Sequence, residues 1–377
     1  MSELIQKKDN RATIRWKLLT SASALALTAH VSSTVLAQAE DAERPTLWIE
    51  LGGQMEMMQG LSSPFTAPFM SVAPTPDLYK ESSFGGDQRP PRFALGEEGK
   101  ITIQPEDSDW QFSASIRYGR SHANRHIHHQ TSGVSVYQHT KYGANYGNSY
   151  LLGARAFLDN STQHSESHTV IDFSAGKDVG IGALGHDGTS NISAGVRIVD
   201  FAESSMTTIY ARPKIDVVYY KYVIPNQTFD QYKLTGHANR SFRGIGPSLS
   251  WNASAGLAGN NHDGELMLDW GIDASLLFGK QKAKTLHSVT ATHFHYTTFD
   301  GPVYPSRNAH STRSRSVTVP NVGAFASLSM KWQNAKISLG YRTDFFFGAV
   351  DAGIDVRQTK NLDFQGPFAT IGIGLGG

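Results

Sequence analysis

The 377 residues include no cysteine, which removes disulfides, thiolate nucleophiles and sulfur ligands for a metal from the chemistry open to this chain. Beyond residue 39 there is no run of eighteen apolar residues, so any crossing of a membrane there is not made by a helix. An excess of one charge is missing too. Past residue 39, 29 basic residues stand against 31 acidic ones, a formal charge of −2, and a near-neutral chain offers nucleic acid no global attraction. No Pro-, Ser- or charge-rich linker interrupts residues 40–377, which reads as one domain, since all-β barrels commonly reach this length undivided.

What is present begins with an export segment. Lys7, Lys8, Arg11, Arg15 and Lys17 precede the mostly small and apolar run Leu18 to Leu36, which ends at Ala37-Gln38-Ala39. A basic head, an apolar middle and an Ala-x-Ala exit describe a cleaved secretory signal peptide over residues 1–39. The alternative, a retained anchor helix, is disfavoured by His30 and the Ser and Thr residues within the run.

Alternation follows. In Asp109 to Gly119, Trp110, Phe112, Ala114, Ile116 and Tyr118 share one face and Gln111, Ser113, Ser115 and Arg117 the other, because successive side chains of a strand point to opposite sides. From Trp110 to Tyr118 the rise is roughly 26 Å along the strand, or about 20 Å along the membrane normal at a tilt of about 40°, near the height of a lipid-facing band. Leu266 to Phe278 and Ala335 to Phe347 repeat the pattern.

Strands are expected near 46–53, 97–104, 109–120, 148–158, 167–182, 189–201, 206–221, 241–256, 264–280, 314–331, 335–348 and 366–376. Short turns (105–108, 159–166, 202–205, 257–263, 332–334) then alternate with long loops (54–96, 121–147, 222–240, 281–313, 349–365). This predicts an all-β fold: a transmembrane antiparallel up-and-down β-barrel of about twelve strands, within a range of 10 to 14. Residues 284–298 offer a further pair of strands, and 183–188 is short for an external connection. A soluble β-sandwich is the competing fold, with shorter strands and one class of connection.

The motifs Gly340-Tyr341-Arg342, Phe345-Phe346-Phe347, Asp351-Ala352-Gly353 and Gly366-Pro367-Phe368-Ala369 resemble the pore-forming major outer membrane protein family of Gram-negative bacteria, over about the last 65 residues. The resemblance implies a porin-like barrel.

With apolar faces toward lipid, the lumen receives Arg117, Arg155, Arg197, Arg212, Lys214, Lys336 and Arg342 against Asp172, Asp216, Asp269, Asp273 and Asp344. That is a mixed pore lining with at most a slight anion preference, or else a plug held by internal ion pairs. The Met- and Pro-rich loop 54–96 is a candidate constriction, or a surface loop packed on its neighbours. His122, His126, His128 and His129, and likewise His293 and His295, offer imidazole ligands. No carboxylate lies near the first cluster in sequence, so no metal or other cofactor is expected. Gly372, Gly374 and Gly376 are not a nucleotide fingerprint, because no helix follows them. No local signature pairs a nucleophile with a base, so no catalytic residue is assigned and no enzyme is expected.

The reading is an outer-membrane, porin-like diffusion channel for small polar solutes. Its partners are outer-membrane lipid, the barrel assembly machinery and those solutes, with a homo-oligomer open. The alternative is a non-conducting structural or adhesive barrel whose loops bind at the surface.

Overall fold

The computed structural model describes residues 46–59, 94–106, 108–130, 135–136, 150–151, 157–180, 189–212, 215–219, 225–260, 263–295, 298–354 and 356–375. The expected signal segment and the greater part of loop 54–96, residues 60–93, lie outside them. The strands are β1 (Leu47–Gln59), β2 (Ala94–Ile103), β3 (Trp110–Gln130), β4 (Ser135–Val136), β5 (Tyr150–Leu151), β6 (Phe157–Asp178), β7 (Thr189–Arg212), β8 (Ile215–Tyr219), β9 (Pro225–Asn260), β10 (Gly264–His295), β11 (Thr298–Trp332), β12 (Ala335–Asp351) and β13 (Thr359–Leu375). No helix among the described residues is long and apolar enough to cross a membrane.

Ten of these strands close a ring in the order β1-β2-β3-β6-β7-β9-β10-β11-β12-β13 and back to β1, every neighbouring pair antiparallel. β8 adds a short ribbon to the far end of β9, and β4 pairs with β5. The fold is a transmembrane antiparallel β-barrel. Closure leaves no unpaired backbone edge facing lipid, where each unsatisfied group would cost several kcal/mol.

Ten strands replace twelve because two expected turns are strand. Asp159↔Tyr210 to Ser167↔Ala202 pair without interruption, so 159–166 lies inside β6 and 202–205 inside β7. These Ser- and Thr-rich stretches read as turns, yet cross-strand hydroxyl pairs such as Thr207 Oγ1 to Thr162 Oγ1 at 3.4 Å sit well in a ladder. The merger puts the last residues of β6 and the first of β7 at the end of the barrel where β2 gives way to β3, β9 to β10 and β11 to β12, so the connection between β6 and β7 belongs with the short ones. The expected loops 222–240 and 281–313 are also largely strand, as are residues 121–130 and 135–136 of the expected loop 121–147.

Why the strands overrun is clear on β10. Outward-facing Leu266, Ile272, Leu276 and Phe278 are exposed, then Lys280, Lys282 and Lys284 continue the same face. The apolar band ends there, but β10 runs on to His295 and its 32 residues cover about 100 Å of path. β3, β6, β7, β9, β10 and β11 thus form a wall standing beyond the band. Past the band the outer face turns polar and the lipid-type alternation fades, so the sequence there resembles loop.

Ile272, at the middle of the β10 band and 53% exposed, gives a direct check on the membrane. Ile272→Arg should destabilise the barrel by about 2–4 kcal/mol in lipid vesicles, the cost of a lipid-facing charge at the midplane, measured as a lower urea midpoint. An exposed isoleucine on a soluble protein would tolerate the change with little loss.

Candidate functional site: a buried apolar layer below a polar chamber

Inside the ring the side chains stack in three storeys. The one nearer the short turns is charged. Arg197 on β7 donates from Nε to Asp172 Oδ1 at 2.6 Å and from Nη1 to Asp273 and Asn321. Arg117 on β3 bridges to Asp344 on β12 at 2.5 Å, and Arg342 on β12 to Glu98 on β2 at 2.6 Å. Lys100 meets Glu50 at 3.1 Å and Lys336 meets Asp269 at 2.8 Å, while Ser329 donates to Asp269 at 2.6 Å. The Arg117 bridge joins strands four places apart in the ring and the Arg342 bridge strands three places apart, so they cross the lumen rather than line it. The Arg342 guanidinium also lies 4.7 Å from the centroid of the Phe368 ring.

Above this storey sits an apolar one: Val170, Val199, Phe201, Phe242, Leu277, Val319, Phe346, Leu362 and Phe364, all buried. Phe201 meets Phe346 edge to face at 4.7 Å between centroids and Phe364 at 5.4 Å. Such aromatic pairs add about 0.5–1.5 kcal/mol each beyond area burial. Together these rings make a buried apolar layer inside the barrel.

The third storey is polar again. His168 lies between Glu56, at 2.9 Å, and Glu166, at 3.5 Å, and Ser121 donates to Glu166 at 2.8 Å. Gly119 makes this possible, since a Cβ there would fall 2.2 Å from both Glu56 Oε2 and His168 Cε1. Arg240 pairs with Glu203 at 3.0 Å. A chamber of about 710 Å³ opens at this level, with Glu166, Glu203, Arg240 and Arg313 in its wall. Among the described residues, Glu203 Oε2 and Arg240 Nε are buried without a hydrogen-bond partner.

A strap formed by residues 348–354 enters the same storey. Gly348 has φ +71°, a left-handed turn that favours glycine, and it redirects the end of β12 inward. Arg313 then donates to Asp351 at 2.8 Å, Gly353 O at 2.6 Å and Ile354 O at 2.7 Å. Arg240 donates to Ala352 O at 3.0 Å and Thr285 to Ile354 O at 2.9 Å. Ile354 packs against Leu158, Ile209, Ala211 and Leu234. The inward-folding segment seen here therefore follows β12, whereas the sequence pointed to 54–96; the part of that loop expected to constrict the mouth, residues 60–90, is outside the described residues.

Of the expected lumen residues, Arg117, Asp172, Arg197, Asp269, Asp273, Lys336, Arg342 and Asp344 face the interior, gathered by the ion pairs above. Arg212 does not. It stands on the outer face at the far end of β7, 5.2 Å from the Phe157 ring and 3.2 Å from Gln231 Oε1, because the lipid rule for choosing a face stops at the top of the apolar band. Arg155, Lys214 and the side chain of Asp216 lie outside the described residues.

Sequence reasoning missed Glu50, Glu98 and Lys100, although their alternation with Ile49, Leu51 and Ile101 carries the same signal. It also missed the phenylalanine seal, where the signal works in reverse: Phe346 points inward between outward Phe345 and Phe347. His122, His126 and His128 are on strand β3 rather than in a loop, and His126 pairs with Asp159 of β6, a carboxylate remote in sequence. The side chains of His129, His293 and His295 are not among those described.

No protein-family model and no curated protein sequence matches this chain. Among solved structures it is similar to the P. putida toluene transporter TodX, with 9% identity, coverage of 88% of this chain and 91% of that one, and a TM-score of 0.19. It is similar to the outer membrane protease OmpT from Escherichia coli, with 7% identity, 87% and 96% coverage and a TM-score of 0.25. The transport unit of the Escherichia coli autotransporter AIDA-I aligns with 8% identity, 91% and 93% coverage and a TM-score of 0.16. Likeness at this level says nothing of function, which is argued from the geometry alone.

Proposed function

We propose that this protein is a non-catalytic outer-membrane barrel, closed to free diffusion, that binds at the cell exterior through its tall wall and polar chamber. The single observation that carries this reading is the buried Phe201–Phe242–Phe346–Phe364 layer lying above cross-lumen ion pairs. A ten-stranded ring is near the size at which side chains fill the interior, well short of the sixteen or more strands that leave an aqueous channel. The outward apolar band supports a membrane setting, and the short turns at one end, taken as periplasmic, set the wall and chamber outside the cell. The chamber mixes carboxylates with guanidiniums, which suits small polar solutes entering from outside.

The second reading is the porin-like diffusion channel. The charged storey and the glycine-turned strap favour it, since both belong in a lumen that opens when its seal parts. Reconstitution in a planar bilayer separates the two. The purified protein is expected to show a flat baseline without step conductance, and regular porin-sized steps from the unmodified chain would overturn the closed-barrel reading.

A further inference from the structure

The outer face of β9, β10 and β11 just past the apolar band carries one sign of charge. Lys280, Lys282 and Lys284 occupy alternate positions of β10, about 7 Å apart, and all three are exposed. Arg243 of β9 stands directly opposite Lys280 in the register, with 70% of its side chain exposed. Residues 231–262, 274–299 and 301–343 contain no Asp or Glu at all. Among the described residues, only Asp200 of β7 brings a negative charge to this face, and it is bonded to Arg243.

Immediately beneath lies exposed hydrocarbon: Ile245 at 52%, Leu249 at 58%, Phe278 at 53% and Val322 at 46%. Between and beside the lysines the register sets small donors and acceptors. Ser241 and Ser314 flank Lys282, and Asn239 and Thr312 flank Lys284. Three chemistries thus meet in vertical order: an apolar wall, a row of cations, and a rim of hydroxyls and an amide.

We propose that this face binds an acylated phosphoglycolipid of the outer leaflet, acyl chains against Ile245, Leu249, Phe278 and Val322, phosphates against Lys280, Lys282 and Lys284 with Arg243 beside them, sugar hydroxyls against the polar rim. Charge complementarity selects the occupant. Cations at the level where the apolar band ends meet headgroup phosphates, and nothing acidic on β9, β10 or β11 there competes for them. A protein partner would not account for the continuity with the lipid-facing band. The proposal rests on the membrane reading above, and its test is chosen so that the two fail differently.

The full chain, refolded in detergent, is titrated with bisphosphorylated hexa-acyl lipid A, with the same lipid after phosphatase treatment, and with sodium phosphate at equal phosphate concentration. Heat-dependent gel migration reports folding. The variant K280Q/K282Q/K284Q replaces each exposed ammonium by a neutral amide on a slightly shorter chain and is expected to fold as the parent does. The parent should bind the phosphorylated lipid about 100-fold more tightly than the triple variant, three charges at about 1 kcal/mol each, with the gap narrowing in high salt. Dephosphorylated lipid should bind both proteins equally weakly, and inorganic phosphate should bind neither. Equal affinity of parent and variant for the phosphorylated lipid, or displacement of that lipid by inorganic phosphate at equal concentration, overturns the lipid site and leaves the barrel standing. Absence of any heat-modifiable form overturns the barrel, and the lipid site with it.

Discussion

Replacing Arg197 by methionine is expected to cost the barrel about 3–5 kcal/mol, the range for removing one partner of a buried ion pair. Its guanidinium joins Asp172 on the adjacent strand to Asp273 and Asn321 across the lumen, and its residue exposure is 5%. Methionine fills much of the volume but leaves two carboxylates facing each other with no cation between them. The loss appears as a fall in the urea midpoint of the heat-modifiable form. The triple variant R197M/D172N/D273N should recover most of it, because neutral amides bear burial far better than unpaired charges. A loss below about 1 kcal/mol for R197M would mean that water already solvates this storey, and the lumen would then be open rather than packed.

The second large effect concerns the seal. Phe346 is fully buried and packs edge to face on Phe201. Phe346→Ala should cost about 3–5 kcal/mol and remove the ring that spans most of the gap. If the apolar storey is the barrier to ions, this variant should convert the flat bilayer baseline of the parent into discrete conductance steps. F346L, which keeps most of the volume, should stay closed. Heat-dependent migration of both variants verifies that they still fold. A folded F346A without conductance would transfer the barrier to the charged storey or to the strap, and R313A, which removes the contacts to Asp351, Gly353 and Ile354, would then distinguish them by releasing the strap.

Much of this architecture can be read in advance from particular residues. Trp110, Phe112, Ile116 and Tyr118 alternate with Ser113, Ser115 and Arg117, and lipid on one side against a wet interior on the other explains that order. The same reasoning places Arg117, Asp172, Arg197 and Asp344 inside. It fails where a strand leaves the band. Arg212 follows the rule for choosing a face but stands beyond the lipid that gives the rule its meaning. It fails again for Phe201, Phe242 and Phe364, because an inward apolar residue and an outward one carry the same letter.

The sequence alone determined which segments alternate and which face of each is apolar, and closure into a ring follows from the backbone's need for partners in lipid. Tertiary structure decided the number of strands, the seal and the strap. The physical reason is range. The alternation of side chains is a property of neighbours two residues apart. Arg117 and Asp344 are 227 residues apart, and the Arg313 contacts to 351–354 depend on a single left-handed turn at Gly348. Whether a lumen is open or filled depends on how side chains from opposite walls meet, and no local pattern records that distance.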